Sequence, residues 1–173
     1  AGRLAAVTNY REVPAPNGNI SRGEIPVAFL SSEHSAASYA QRLAQEHTAY
    51  SGFNALLFDG ETLVYSSNKN HEPIILSSGF YGVSNQLLNT PWPKLLKAKQ
   101  GYLEIREQAA LSAQARENAW LDLMCDRQQA REEDLPDTGI GTEGEKFLSS
   151  IFIRSQAYGT RATSLVSMRP DKI

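Results

Sequence analysis

The stretch GFNALLFDGETLVYSS, residues 52–67, is the strongest folding signal in this chain. Two strand-like runs, 52–58 and 61–67, flank the dipeptide Asp59-Gly60. Asp-Gly suits a two-residue type I′ turn, because both central residues of that turn need a positive φ. The stretch therefore predicts an antiparallel hairpin, and with it a sheet of antiparallel type.

Further elements are predicted on both sides of the hairpin from apolar periodicity and from turn residues. Strands are expected at 2–8, 73–77, 80–84, 150–155 and 157–168, and helices at 25–32, 35–47, 91–107 and after a break to about 129. The order lacks strict alternation of strands and helices, which favours an α+β fold with antiparallel sheet. A length of 173 residues suits one domain, expected to span 1–173.

Composition excludes several classes of partner. Lys and Arg number 17 and Asp and Glu 19, so the formal net charge is -2, and no basic block is present. We therefore expect no nucleic-acid partner. The apolar runs are too short to span a bilayer, so no membrane span is expected either.

The single cysteine, Cys125, favours a reducing compartment, and a cytoplasmic location is expected. Helical spacing places Cys125 on one face with Leu121 and Met124, which predicts a buried thiol. The chain opens inside a strand-like segment, so we expect it to be part of a longer protein.

Two motif-like features are given plain interpretations. Gly139-x-Gly141-x-x-Gly144 lacks the preceding apolar strand and the long following helix of a dinucleotide site, so a surface loop is expected at 131–145. His34, His47 and His71 share no metal-ligand spacing, and each is expected at the surface. No metal site and no cofactor is identified from the sequence.

Three polar residues at the ends of strand-like segments are the candidate site residues: Asn9, Asn85 and Arg161. Side chains at such ends can converge at one rim of a sheet. Asn is depleted in strands, yet it also occurs in turns because it hydrogen-bonds its own backbone. Arg161 could equally be a strand-edge charge or an ion-pair partner. On residue types alone, both interpretations stand.

Several segments together resemble the transport and Golgi organisation 2 family, also called the NRDE family. The matching segments are GRLAAVTNYRE (2–12), SRGE (21–24), YSGFNALLFDG (50–60), YGVSNQLLNTPWPKL (81–95), LPDTGIG (135–141) and SIFIRSQAYGTR (150–161). The family's N-terminal Met-Cys and its Asn-Arg-Asp-Glu motif are absent from the sequence given, which is expected to be the central and C-terminal part of the family's domain.

The resemblance implies a fold and a set of site residues. It implies a four-layer αββα sandwich like that of the N-terminal nucleophile hydrolases, incomplete in this chain. In that comparison Asn9, Asn85 and Arg161 look like two Asn and one Arg of the catalytic site, with Asn85 as an oxyanion donor and Arg161 as the charge that orders the site. Asn54 and Tyr81, within the matching segments, are expected to bind ligand.

We therefore expect a binding or trafficking protein for a small-molecule ligand, rather than an enzyme in the chain as written. The family resemblance implies haem or acyl-lipid handling. The alternative is an amidase acting on a C–N bond, if a segment led by a nucleophilic Cys stands upstream. A third interpretation is an interaction domain that uses the acidic segment 131–145 as its contact.

Overall fold

The computed structural model describes residues 2–14, 18–46 and 48–168, with the backbone only of His71. It divides between Thr90 and Pro91 into two compact units, and each is described by itself. The expected single domain over 1–173 stays a prediction.

The first unit is built on a four-stranded antiparallel sheet in the order β1-β2-β3-β4. Its strands are β1 Leu4–Asn9, β2 Phe53–Phe58, β3 Leu63–Ser67 and β4 Asn70–Leu76. Each strand pairs antiparallel with the next one along the chain. Short turns join β2 to β3 and β3 to β4, whereas two helices lie between β1 and β2. The α+β class with an antiparallel sheet is confirmed. The second sheet of the expected sandwich stays a prediction, since the described residues form one sheet, which is not closed.

Two helices cover one face of this sheet: α1 Glu24–Leu30 and α2 Ala36–Gln45. Alternate residues of β2 point toward them, namely Phe53, Ala55 and Leu57, and all three are buried. They pack with Ile25 and Phe29 of α1, with Ala36, Tyr39, Ala40 and Leu43 of α2, and with Val64 of β3. The predicted hairpin and helices therefore meet in one apolar core.

The turn of the hairpin differs from the prediction in type. Gly60 has φ 105°, whereas Glu61 is not among the residues with positive φ. The central pair is thus Gly60-Glu61, closed by a hydrogen bond from Asp59 N–H to Thr62 C=O at 3.4 Å. A type I′ turn needs a positive φ at both central residues, and Gly60 alone has one here, so the expected type I′ turn was wrong.

The Asp59 carboxylate connects the turn to α2 through hydrogen bonds. Its Oδ2 accepts from the Ala36 N–H at 2.7 Å, and its Oδ1 accepts from Glu61 and Thr62 N–H at 3.1 and 2.8 Å. Burial alone would raise the pKa of Asp59, but these backbone donors outweigh it and the pKa is lowered. Asp59 therefore acts as a second cap at the start of α2, beside the N-cap Ser35.

The second unit contains α3 Pro93–Glu107, α4 Ala113–Leu123, a short 3-10 helix at Glu132–Asp134 and α5 Thr142–Phe147. Trp120 of α4 stacks on Tyr102 of α3, with ring centroids 4.6 Å apart and planes 8° from parallel. A Cβ at Gly101 would lie 2.7 Å from Leu123 Cδ1, so the glycine lets the two helices approach closely. The predicted start of α3 at 89–91 moves to Pro93, because Trp92 is extended, with ψ 145°, as the residue before a proline usually is.

Three other expectations were wrong. Residues 80–84 form no strand, and 150–168 contain only an isolated bridge between Arg154 and Gly159, because a strand needs a neighbouring strand to satisfy its backbone. Cys125 is exposed rather than buried, since it follows the last residue of α4. The segment 131–145 includes two helical stretches rather than loop throughout.

Two observations complete the description of the fold. In the part of the chain that the structure describes, no helix is long and apolar enough to cross a membrane. His34 is exposed, as predicted, while the expectation for His47, and that for the side chain of His71, lie outside the described residues.

Candidate functional site

Asn9 and Asn85, predicted as site residues, are brought together in the first unit. Asn9 is the last residue of β1. The Asn85 amide Nδ2 donates to Asn9 Oδ1 at 2.7 Å and to the Asn9 main-chain oxygen at 3.2 Å. We call this pair the amide rim. Asn85 reaches it from an irregular segment, not from the strand that the sequence predicted.

The two asparagines differ in their roles in these hydrogen bonds, because Asn85 donates and Asn9 accepts. The Asn85 amide nitrogen makes two hydrogen bonds to acceptors on Asn9, so it is engaged within the rim. The Asn9 amide has two N–H donors of its own, no hydrogen-bond partner for them among the described residues, and an exposed position. In this arrangement Asn9 presents the donor, and Asn85 orients it.

Main-chain contacts hold Asn85 against the end of β1. The Arg11 N–H donates to the Asn85 carbonyl oxygen at 2.7 Å. Asn9 and Arg11 are two apart in the chain, so one residue alongside can bond to both of them. Asn85 thus joins the edge of β1 through its side chain and its backbone together.

A buried hydrogen-bonded chain lies under this segment. Asn54, only 2% exposed, donates from Nδ2 to Thr8 Oγ1 at 3.2 Å and accepts from the Tyr65 hydroxyl at 2.7 Å. Thr8 in turn donates to the Ser84 carbonyl at 2.9 Å, and the Leu88 N–H donates to the Tyr65 oxygen at 3.1 Å. The chain fixes residues 84–88 over the sheet face opposite the helices.

Burial raises the pKa of Tyr65, with smaller opposing effects from the Leu88 N–H and from Ser67. The phenol therefore remains neutral at physiological pH and can donate to Asn54 while it accepts from Leu88. Asn54 has its amide bonded to protein on both sides, which makes it a positioning residue for the amide rim. The expected ligand contact of Asn54 stays a prediction.

Two hydrogen bonds between Gly82 and Asn89 close the segment that contains Asn85 into a loop. Asn89 accepts the Gly82 N–H at its Oδ1 and donates its own N–H to the Gly82 carbonyl, at 3.0 and 2.8 Å. Tyr81, the other expected ligand contact, is 36% exposed, and its hydroxyl donates to the Ser77 carbonyl at 3.2 Å. Its ring is open to solvent on one side, and its ligand role also stays a prediction.

An ion pair between Lys69 and Glu12 lies near the amide rim in sequence, since Glu12 is three residues after Asn9. Lys69 Nζ is 2.6 Å from Glu12 Oε2, and the two side chains are 27% and 23% exposed. Lys69 also lies 5.9 Å from the ring centroid of Tyr10, the residue that follows Asn9. Because the two charges offset each other, this pair adds no net charge near the amide rim.

Arg161 belongs to the second unit, where it lies exposed in an irregular segment after the Arg154–Gly159 bridge. It lines an open cleft of about 460 Å³ formed by residues 153–161. No ion pair of Arg161 occurs among the described residues. Its predicted ordering of the site stays a prediction.

Sequence reasoning missed Thr8, Tyr65 and Leu88 as supports of the amide rim. A signal was present, because β2 and β3 are central strands and still carry Asn54, Ser66 and Ser67, all buried. Buried polar side chains are normally hydrogen-bonded, so their partners could have been sought. Within 2–14, 18–46 and 48–168, no cluster of His, Cys, Asp and Glu could hold a metal ion.

Comparison with known proteins assigns the family. The family model described as Transport and Golgi organisation 2 matches residues 1–172. The Transport and Golgi organization 2 homolog of Mus musculus is 35% identical over 95% of this chain and 63% of its own length. The homologs of Bos taurus and Homo sapiens are 33% and 32% identical, each over 98% of this chain and 65% of their length.

The chain thus spans somewhat less than two thirds of the length of these relatives. The match covers both compact units, including the segments that hold Asn9, Asn85 and Arg161. The chain belongs to the transport and Golgi organisation 2 family.

Proposed function

We propose that this chain binds a small amphipathic molecule at the amide rim and takes part in its trafficking. The observation that carries the proposal is the 2.7 Å hydrogen bond between Asn85 and Asn9, which orients an exposed amide whose two N–H donors are unused within the described residues. Such a donor suits a carbonyl or carboxylate oxygen of the ligand.

The surroundings of the rim support binding to a preformed site. The buried Asn54–Tyr65 hydrogen bond and the main-chain contact to Arg11 hold Asn85 before any ligand arrives. A pre-oriented donor loses less conformational freedom on binding than a mobile one. In this proposal Tyr81, in the same unit as the amide rim, offers a partly exposed ring to the apolar part of the ligand.

The relatives are named for transport and Golgi organization, and we propose a transport role for this chain also. Haem or an acyl lipid would fit the proposed class, since each joins an apolar body to an acid or carbonyl group. The single free cysteine suits a reducing compartment, so the cytoplasm is the proposed location.

The test is a titration of the protein with haem, followed by the Soret band, and with a fluorescent fatty acid. Asn9→Ala removes the donor, and the loss of one hydrogen bond, about 1 kcal/mol, would weaken binding roughly fivefold to tenfold. Asn85→Ala should weaken it by a similar or smaller factor, because the donor remains but is no longer held.

Asn118→Ala is the matched control, because Asn118 is an exposed asparagine on α4 of the second unit. Its affinity should stay within about twofold of the wild type, since surface changes away from a site have small effects. Equal affinities of the Asn9→Ala and Asn118→Ala variants would show that the amide rim is not part of the binding site.

Amide hydrolysis is the second candidate, and the same exposed donor favours it. An amide N–H near 3 Å from a developing oxyanion stabilises it, and removal of one such donor typically costs about 100-fold to 1,000-fold in turnover. The reaction would also need a nucleophile, which we place on a Cys-led segment ahead of Gly2.

A thiol-reactive N-acyl probe tests this alternative on a form of the protein that carries such a segment. Labelling of the leading Cys, reduced in Asn9→Ala, would support hydrolysis. The exposed Cys125 must be changed to Ala first, so that its reaction does not obscure the result. If the leading Cys reacts no faster than a free thiol, the hydrolysis alternative is rejected and ligand binding remains the proposed function.

A further inference from the structure

An open cleft of about 550 Å³ in the second unit is lined by two arginines and two aromatic rings. We call the surface formed by Arg127, Phe147, Phe152 and Arg154 the arginine cleft. Its two walls are joined by a hydrogen bond from the Phe152 N–H to the Asp126 carbonyl at 2.7 Å. This bond sets Arg127 next to Phe152, with the guanidinium carbon 5.8 Å from the ring centroid.

The charge in the cleft is not compensated. No Asp or Glu is among its lining residues, and neither Arg127 nor Arg154 makes an ion pair within the described part of the chain. The nearest carboxylate in sequence, that of Asp126, is bound by Lys97 of α3 and by the Gln128 N–H. These two contacts hold the pKa of Asp126 below its usual value. Both guanidinium groups therefore keep their full hydrogen-bonding capacity.

The two serine hydroxyls of the cleft are already used. Ser150 donates to the Phe152 carbonyl at 3.1 Å, and Ser155 donates to the Tyr158 carbonyl at 2.8 Å. Neither hydroxyl has a proton left for a ligand. The two arginines are thus the charged donors that the cleft presents, with the amides of Gln129 and Gln156 as neutral ones. The arginines stand beside the half-buried rings of Phe147 and Phe152.

We propose that the arginine cleft is a second binding site, for a small organic anion that joins a phosphate or a pair of carboxylates to a flat apolar group. Guanidinium groups bind such anions through charge-assisted, often paired, hydrogen bonds, and the rings provide the surface for the flat group. This goes beyond the function proposed above, which uses neither Arg127 nor Arg154.

A neighbouring cleft favours a ligand that carries more than one negative charge. The cleft of about 460 Å³ that Arg161 lines shares Arg154 with the arginine cleft, and no carboxylate side chain lines it either. Three arginines therefore face two adjoining clefts. A ligand with two charged oxygens on one centre can engage more than one of them.

Three probes separate the two parts of the proposal by calorimetric titration. 1-Naphthyl phosphate carries the ring and the charge, 1-naphthol only the ring, and inorganic phosphate only the charge. We expect 1-naphthyl phosphate to bind at least tenfold more tightly than either of the others, because only it uses both surfaces. Its affinity should fall severalfold between about 0.05 and 0.5 M salt, whereas that of 1-naphthol should not.

Variants then locate the site. Arg127→Gln and Arg154→Gln should each weaken the binding of 1-naphthyl phosphate about tenfold, since each removes one charged donor pair. Arg106→Gln is the control: Arg106 is an exposed arginine in the last turn of α3 and does not line the cleft. Its affinity should change less than twofold, and circular dichroism should show all three variants folded.

Two outcomes would overturn the proposal. One is the absence of binding of 1-naphthyl phosphate to the wild type up to about 10 mM, a binding free energy weaker than about −3 kcal/mol. The other is equal weakening in Arg106→Gln and in the two cleft variants, which would show attraction to overall charge. A titration unchanged in Asn9→Ala and weakened in Arg154→Gln would separate this site from the amide rim.

Discussion

The phenol of Tyr65 joins two layers of the first unit. It is 1% exposed, donates to Asn54 inside the sheet, and accepts the Leu88 N–H from the segment that carries Asn85. Removal of its oxygen leaves an amide oxygen and a backbone N–H buried without this partner. The cost of leaving such groups unpaired exceeds the value of the hydrogen bond itself.

Tyr65→Phe should therefore lower the free energy of unfolding by about 1–3 kcal/mol, since two buried polar groups lose their partner. Urea-induced unfolding followed by circular dichroism measures the change. Tyr81→Phe is the control, because Tyr81 is 36% exposed and water can replace its hydrogen bond; we expect a change below about 0.5 kcal/mol. Equal stability of the two variants would contradict the role given to the buried network.

At the scale of elements, the hairpin and α2 depend on one carboxylate. Asp59 accepts three backbone hydrogen bonds, one from the start of α2 and two from its own turn. The turn alone would not set the position of the helix. Because the same side chain serves both elements, the β2–β3 turn and the N-terminus of α2 are joined through a contact between residues 23 positions apart.

Asp59→Ala should cost about 2 kcal/mol of stability, as the loss of a helix cap and of the turn's own acceptor together predict. Asp137→Ala is the matched control, because among the described residues the Asp137 carboxylate accepts only the Gly139 N–H within its own turn. We expect it to change stability by less than about 0.5 kcal/mol. Denaturant unfolding of both variants decides whether the contact to α2 matters.

The same carboxylate predicts a dependence on pH. The folded-state pKa of Asp59 is lowered, so its contribution is complete above the unfolded-state pKa of about 4 and is lost as pH falls through the folded-state value. Asp59→Asn has no titrating group there. The stability gap between wild type and Asp59→Asn should therefore shrink from pH 7 to pH 3 in thermal unfolding. A constant gap would show that the charge contributes nothing.

Across the whole molecule, buried apolar side chains are distributed unevenly. The described core of the first unit holds ten buried residues from both helices and from β2 and β3. In the second unit, α4 has no buried residue, and Leu95 is the one in α3. Local stability follows buried apolar contacts, so the two units should differ in their resistance to opening.

Hydrogen exchange measured by mass spectrometry tests this difference. Amides of β2 and β3 should exchange at least about 100-fold more slowly than those of α4, because the central strands open only with the core. Peptides covering 53–67 and 113–123 provide the comparison. Similar protection in the two peptides would show that features other than buried apolar side chains stabilise α4.

The elements were predicted well where local chemistry is sufficient. Two strand-like runs that flank Asp59-Gly60 predicted β2 and β3, and the helical spacing of Ala36, Tyr39, Ala40 and Leu43 predicted α2. Prediction failed at 80–84 and 150–168, where strand-like residues lack a neighbouring strand among those described. Backbone pairing is a property of two segments, and one segment's sequence does not contain it.

The candidate site, too, could be predicted from the sequence only in part. The sequence and its family resemblance identified Asn9 and Asn85, because polar residues in apolar segments are conspicuous. Folding decided what each of them does: the Asn85 donors are turned onto Asn9, and the free donors are those of Asn9. That assignment depends on a contact between residues 76 positions apart, supported by buried Asn54 and Tyr65. The direction of a hydrogen bond is set by where the backbone brings its partners, so only the three-dimensional arrangement could establish it.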